Sequence, residues 1–154
     1  ILLGPYHRSV RKRQRKNPKF YFFDTGVRRG LGHLLDMRPV PGQPEFGQVF
    51  EHWVVVEAWR RNEYFAKDYR FYYLRTKDDA EIDLVIERPG RPLALIEIKS
   101  RDRVDERDVR MIGHFLDDFG KAEAFCFSRD PVVKKIGPVL ALPWDQGLIE
   151  IGLG

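Results

Sequence analysis

The stretch EIDLVIERPGRPLALIEIKS, Glu81 to Ser100, decides how the rest of the chain is read. Two runs rich in Ile, Leu and Val flank the breaker Arg88-Pro89-Gly90-Arg91-Pro92, the pattern of two strands and a turn. Alternate side chains of a strand share a face. Ile82, Leu84 and Ile86 are therefore expected on one face, and Glu81, Asp83 and Val85 on the other. In the second run Ala94, Ile96 and Ile98 share a face, and Leu95, Glu97 and Lys99 take the opposite one. Pairing of the runs brings Asp83, Glu97 and Lys99 to one spot on a sheet. Two carboxylates and an ammonium at one spot are the parts of a divalent-cation site for phosphodiester hydrolysis. Alone, Glu97-Ile98-Lys99 is also what an exposed, solubilising strand face carries.

Before this hairpin, Tyr69 to Arg75 (YRFYYLR) is aromatic and strand-like, joined to it through the polar turn Thr76 to Asp79. Further upstream a helix is expected from Pro44 onwards, with Glu45 at the positive end of its dipole. Phe46, Val49, Phe50, Trp53 and Val54 recur with helical spacing, an amphipathic stripe. Glu51 lies beside the stripe, so a half-buried carboxylate in need of a partner is expected. A metal ion, a metal-bound water or Lys99 would serve, or an arginine if Glu51 is a surface residue. Phe20 to Phe23 is a short strand candidate, followed by a helix over about Val27 to Leu35 capped by Asp24 or Thr25.

Downstream of Lys99, an acid-rich start at Asp105 to Asp108 opens a helix whose buried face is Val109, Ile112, Phe115, Leu116 and Phe119, ended by Gly120. Lys121 to Ser128 and Val139 to Trp144 read as strands, and Leu148 to Leu153 as a turn or further strand. The element order predicts an α/β fold, a mixed β-sheet with helices on both faces. The helix after Lys99 would carry the crossover to a parallel neighbour.

At 154 residues, 43% hydrophobic and 32% charged, the chain has the composition of one packed domain. No apolar run approaches the ~20 residues of a membrane span. The single cysteine, Cys126, excludes a disulfide framework and reads as a small core residue, and a cytoplasmic setting is expected. Seven basic residues and no acid lie between Arg8 and Lys19, which takes the net charge of +4 to −3 for the remainder. Electrostatic attraction for nucleic acid is thus concentrated in this arm, with Arg11, Lys12, Arg13, Arg15 and Lys16 as candidate phosphate contacts. A solvated linker or one strand of a hairpin is the other reading. Residues 1–19 are expected to be this arm plus the edge of a preceding element, and residues 20–154 the domain proper. The absence of an initiator Met is read as a fragment of something longer.

The hard oxygen donors Asp83, Glu97 and the Ile98 carbonyl suit Mg²⁺ or Mn²⁺. Lys99 would orient water and stabilise developing charge, and Glu51 would reach in from its helix. His7, His33, His52 and His114 form no zinc pair, and there is no Gly-x-Ser-x-Gly elbow and no P-loop.

Taken together, KNPKFYFFDTGVRRGL, GQVFEHWVVVEAWR, FYYLRTKDDAEIDLVIE, ALIEIKS and VLALPW, in order over residues 16–145, resemble the C-terminal domain, labelled as of unknown function, of prokaryotic AAA-type ATPases. That domain is similar to the PD-(D/E)xK, restriction-endonuclease-like superfamily. The resemblance implies a nuclease-like core acting on DNA. It places the acidic motif on Asp83, the (D/E)xK on Glu97 and Lys99, and the helical glutamate on Glu51. Ile82 replaces the proline of the motif. The resemblance also implies an ATPase domain before Ile1, where any ATP would bind. A homo-oligomer is compatible with it. The competing expectation is a non-catalytic nuclease-fold module that binds DNA or protein or assembles the ATPase.

Overall fold

The computed structural model describes residues 1–6, 17–76 and 80–154. Its described strands form one eight-stranded mixed sheet in the order β2-β1-β3-β4-β5-β6-β8-β7. They are β1 (Leu2–Pro5), β2 (Lys19–Phe20), β3 (Arg70–Arg75), β4 (Glu81–Glu87), β5 (Leu93–Lys99), β6 (Ala122–Ser128), β7 (Lys134–Ile136) and β8 (Val139–Pro143). The helices are α1 (Thr25–Leu31), α2 (Pro44–Tyr64), α3 (Glu106–Phe119) and α4 (Trp144–Glu150).

The centre of the sheet follows the sequence pattern. β3, β4 and β5 form an antiparallel meander, and α3 carries the chain across to β6, parallel to β5. α3 starts where Asp105 and Asp108 cap each other's backbone N–H groups, a reciprocal box that satisfies two donors. It stops at Gly120, whose φ of +64° suits glycine. α1 is capped by Asp24, which accepts the Val27 N–H at 3.0 Å. It ends at Leu31 rather than Leu35.

Strand side chains divide between two cores. Leu84, Ile86, Ala94, Ile96, Ile98, Phe125 and Phe127 pack with Val54, Val55 and Ala58 of α2 and Leu148 of α4. Ile82, Val85, Leu95, Ala124 and Cys126 pack with Val109, Ile112 and Phe115 of α3. Helices thus cover both faces. Full burial of each such aliphatic side chain contributes about 1.5–3 kcal/mol. Cys126 is a core residue, as its sequence context predicts, and burial pushes its thiol up to about 12.

Four expectations are corrected at the edges. Leu2–Pro5, read as the edge of a preceding element, is a strand parallel to β3 with Leu3 in the core. The Phe20–Phe23 strand shortens to Lys19–Phe20, because pairing with β1 covers only two positions. β7 went unread, being three residues long. Trp144 begins α4 instead of ending β8, and 144–150 is helical rather than a turn or strand. Gly147 permits this: a Cβ there would lie 2.3 Å from the Phe127 ring. Among the described residues no helix is long and apolar enough to cross a membrane.

Candidate functional site

The site grows from an interruption of the β4–β5 ladder. Its register runs Ile86↔Ala94, Val85↔Leu95, Leu84↔Ile96 and then stops. One step further, where Asp83 would face Glu97, the Asp83 side chain takes over. Its Oδ2 accepts the Ile98 backbone N–H at 2.8 Å. On the other edge of β4, Tyr72 pairs with Val85 and Leu74 with Ile82. Asp83 and Leu84 therefore both stand opposite Tyr73, a β-bulge that re-aims the strand. This corrects the expected phase of the strand. Ile82 joins Val85 in the α3 core, whereas Leu84 and Ile86 join the α2 core.

β5 contributes Glu97 and Lys99, in phase with each other as their spacing predicts. The Lys99 ammonium donates to Glu97 Oε1 at 2.5 Å. Glu97 is 8% exposed, and its second oxygen, Oε2, is buried with no hydrogen-bond partner among the described residues. A buried unsatisfied oxygen on a charged group is costly and calls for explanation.

α2 brings in Glu51, as its position beside the apolar stripe predicts. Among the described residues its partners are neither Lys99 nor an arginine. The Tyr21 hydroxyl donates to Glu51 Oε1 at 2.7 Å, and Lys19 Nζ stands 3.5 Å from the same oxygen. Lys19 also pairs with Glu81, which Arg75 Nε approaches at 3.8 Å. Beside Glu51 opens a cleft of about 250 Å³ lined by Lys19, Tyr21, Arg28, Gln48 and His52. His52, buried, bonds the Phe22 carbonyl through Nε2, and burial lowers its pKa.

The electrostatics record crowding of like charge. Burial, then the carboxylates Glu97 and Glu51, push Asp83 well above the usual carboxylate range, against the Ile98 N–H and Lys19. Burial raises Glu97 too, with Glu51 and Glu81 adding to it, although Lys99 pulls the other way. Burial disfavours the charge on Lys99, but Glu97 and Asp83 outweigh it and hold the ammonium above its ordinary pKa.

Asp83 thus lies within electrostatic reach of Glu97, Glu51 and Lys99 at the end of the hairpin. Among the described residues no group of three or more His, Cys, Asp or Glu side chains is drawn into metal-binding range. The donors nevertheless fit a divalent cation. Asp83 and Glu97 supply hard oxygens, one of them without a partner. A strand residue presents its N–H and C=O to the same neighbour, so the Ile98 carbonyl also faces the Asp83 side. A cation between these groups would offset the like-charge repulsion that adds to burial in raising both carboxyls. Arg11, Lys12, Arg13, Arg15 and Lys16, the candidate phosphate contacts, lie outside the described residues. Lys19, Tyr21 and Glu81 were not singled out from the sequence as site residues. The only signal for them was position: the last base of the arm, an aromatic beside it, and the first residue of β4.

The protein is therefore an α/β domain with an acidic, lysine-bearing cluster where a central hairpin opens. The chain belongs to the family described as "Domain of unknown function (DUF4143)", which matches residues 46–144 and so includes Glu51, Asp83, Glu97 and Lys99. It is similar to "Uncharacterized protein Rv2008c" of Mycobacterium tuberculosis (strain ATCC 25618 / H37Rv) and "Uncharacterized protein Mb2031c" of Mycobacterium bovis (strain ATCC BAA-935 / AF2122/97). Identity to each is 35% over 97 residues, or 63% of this chain and 21% of the relative. The chain thus spans about a fifth of the length of these relatives. No solved structure matches it.

Proposed function

We propose that the domain hydrolyses phosphodiester bonds of DNA with Mg²⁺ or Mn²⁺, on a restriction-endonuclease-like core within a longer protein that carries an AAA-type ATPase. One observation carries the reading: the buried Glu97 Oε2, without a hydrogen-bond partner among the described residues, beside Asp83, whose carboxyl is raised by burial and then by its acidic neighbours. α2, the β3-β4-β5 meander and the α3 crossover to β6 support the fold assignment.

Asp83, Glu97 and the Ile98 carbonyl would hold the cation. Bound there, it supplies an acidified water and polarised phosphoryl oxygens. Lys99 is held protonated by Glu97 and Asp83. Its part is to orient water and to stabilise negative charge growing on the phosphate, rather than to take a proton. The cleft beside Glu51, with the Arg28 guanidinium on its wall, offers an approach for the phosphate backbone.

The experiment is conversion of supercoiled plasmid or branched DNA to cut products with Mn²⁺ or Mg²⁺. Loss of cutting in both Asp83→Ala and Lys99→Ala supports the reading; activity that survives both ends it. A second reading draws on the net charge of −3 outside the basic arm: a non-catalytic module that binds DNA or protein or assembles the ATPase. Failure of Asp83 and Glu97 to bind Mn²⁺ at millimolar concentration favours that module.

A further inference from the structure

Lys19 is fastened to the acidic cluster from several directions. Its backbone pairs with Leu3 of β1. Two residues before it, the Asn17 carbonyl accepts the Tyr73 hydroxyl at 2.8 Å, and two residues after it, the Tyr21 N–H donates to the Ile1 carbonyl at 2.8 Å. Tyr73 is the residue opposite the Asp83–Leu84 bulge, and Lys19 Nζ lies 5.5 Å from its ring centroid. The Lys19 side chain is about three-quarters buried, as are the Glu51 and Glu81 side chains it bridges. A lysine pinned by strand pairing, set against the Tyr73 ring and held by two acids is not a solvated surface residue.

The two ammonium groups divide three of the four carboxylates, while Asp83 accepts the Ile98 N–H. Lys99 holds Glu97, and Lys19 holds Glu51 and Glu81. Tyr21 secures the same Glu51 oxygen that Lys19 approaches. Glu51 therefore stands beside Asp83 and Glu97, close enough to raise both, with its charge already spoken for.

We propose that Lys19 is a built-in counter-ion that competes with a divalent cation for Glu51, so that an ion at Asp83 and Glu97 completes its coordination only by drawing Glu51 away from Lys19. This deepens the proposed function and rests on it. Lys19 is a positioning residue acting through Glu51, which is held back until an ion arrives. The cost is weak binding of the first cation. The gain is a fold that tolerates four clustered acids when no ion is bound, because a like-charge cluster without a counter-ion opposes its own burial.

The test is titration of the 154-residue chain with MnCl₂, reading free Mn²⁺ by electron paramagnetic resonance, so that no activity is needed. Lys19→Met should bind Mn²⁺ about tenfold more tightly, the scale expected for removing a unit charge a few ångströms from the ion in a partly solvated site. Lys19→Arg, which keeps the cation, should stay within about twofold of the unaltered chain. Adding Glu51→Gln to Lys19→Met should abolish the gain. Lys19→Gln repeats the comparison should the methionine variant not fold by circular dichroism. Affinity unchanged or weakened in the folded neutral variants, or a gain that survives Glu51→Gln, overturns the competition and leaves the ion site standing. Absence of Mn²⁺ binding in every variant removes the ion site itself, and the competition with it.

Discussion

Asp83, half-buried on β4, and Asp130, buried just after β6, are the same side chain, yet the fold treats them in opposite ways. Asp130, 3% exposed, accepts the Val104 N–H at 2.9 Å and the Val132 N–H at 3.0 Å, and pairs with Lys134. Burial alone would raise its carboxyl; Lys134 and the two N–H groups outweigh that and bring it down to about 2. Asp83 has one N–H donor, from Ile98, and its strongest ionic neighbours are the carboxylates Glu97 and Glu51. Its carboxyl is raised. Asp130 ties the segment before α3 to the β6–β7 loop, with both of its oxygens hydrogen-bonded. Asp83 sits in an arrangement the fold alone does not satisfy. Perturbation by desolvation plus specific like-charged partners marks functional sites more often than structural ones.

Substitutions at the two positions should separate most widely in chemistry. Asp83→Asn should lower Mn²⁺-dependent DNA cutting by about 10²-fold or more, whereas Asp130→Asn, compared per folded molecule, should leave it unchanged. Cutting retained by the Asp83 variant would break the contrast. Stability should move the other way. Asp130→Ala strands two backbone donors and Lys134 and should cost about 3 kcal/mol in urea unfolding. Asp83→Asn keeps an acceptor for the Ile98 N–H and removes a repelled charge, so stability should hold or rise.

The pH dependence of unfolding sharpens the contrast. A depressed folded pKa means that Asp130 stabilises fully above the unfolded value near pH 4. That contribution is lost as pH falls from there through about 2. Asp83 has the opposite sign. Its folded pKa is raised, so the fold binds the proton more tightly than the unfolded chain. Its penalty is absent below about pH 4 and grows as pH rises towards the folded pKa. Urea midpoints from pH 2 to 8 should therefore lose their acid-side rise in Asp130→Asn and their decline above pH 4 in Asp83→Asn. The smallest effect is a ligand shift. Mn²⁺ at ten times its dissociation constant should stabilise by about 1.4 kcal/mol, raising the melting temperature by about 4 °C. Glu97→Gln should remove that rise, which calorimetry would show; a rise preserved in Glu97→Gln places the ion elsewhere.

Much of the site was legible because its parts obey local periods. Glu97 and Lys99 share a strand phase. Glu51 follows from its place on α2, although that helix also buries His52, Val55 and Val56 off the expected stripe, and Asp83 from a hairpin whose breaker, Arg88 to Pro92, is plain in the residues. The bulge was not legible. A strict alternation over Glu81 to Ile86 contains nothing that demands an extra residue opposite Tyr73, and the slip arises from β3 and β4 settling against two cores at once. The partners of Glu51 were hidden for a related reason. Lys19 and Tyr21 reach it across 32 and 30 residues of chain, through a two-residue strand too short to carry a pattern.

The amino-acid sequence by itself determined the central hairpin, the α3 crossover, the helix bearing Glu51 and which acids and lysine are candidates for a shared site, because each depends on neighbours a few positions away. Only the tertiary structure decided which charges are already paired, which oxygen is left alone, and that the chain's first strand lies in the sheet. Those outcomes depend on groups brought together from distant parts of the chain, where burial removes the water that would otherwise make every pairing nearly equivalent.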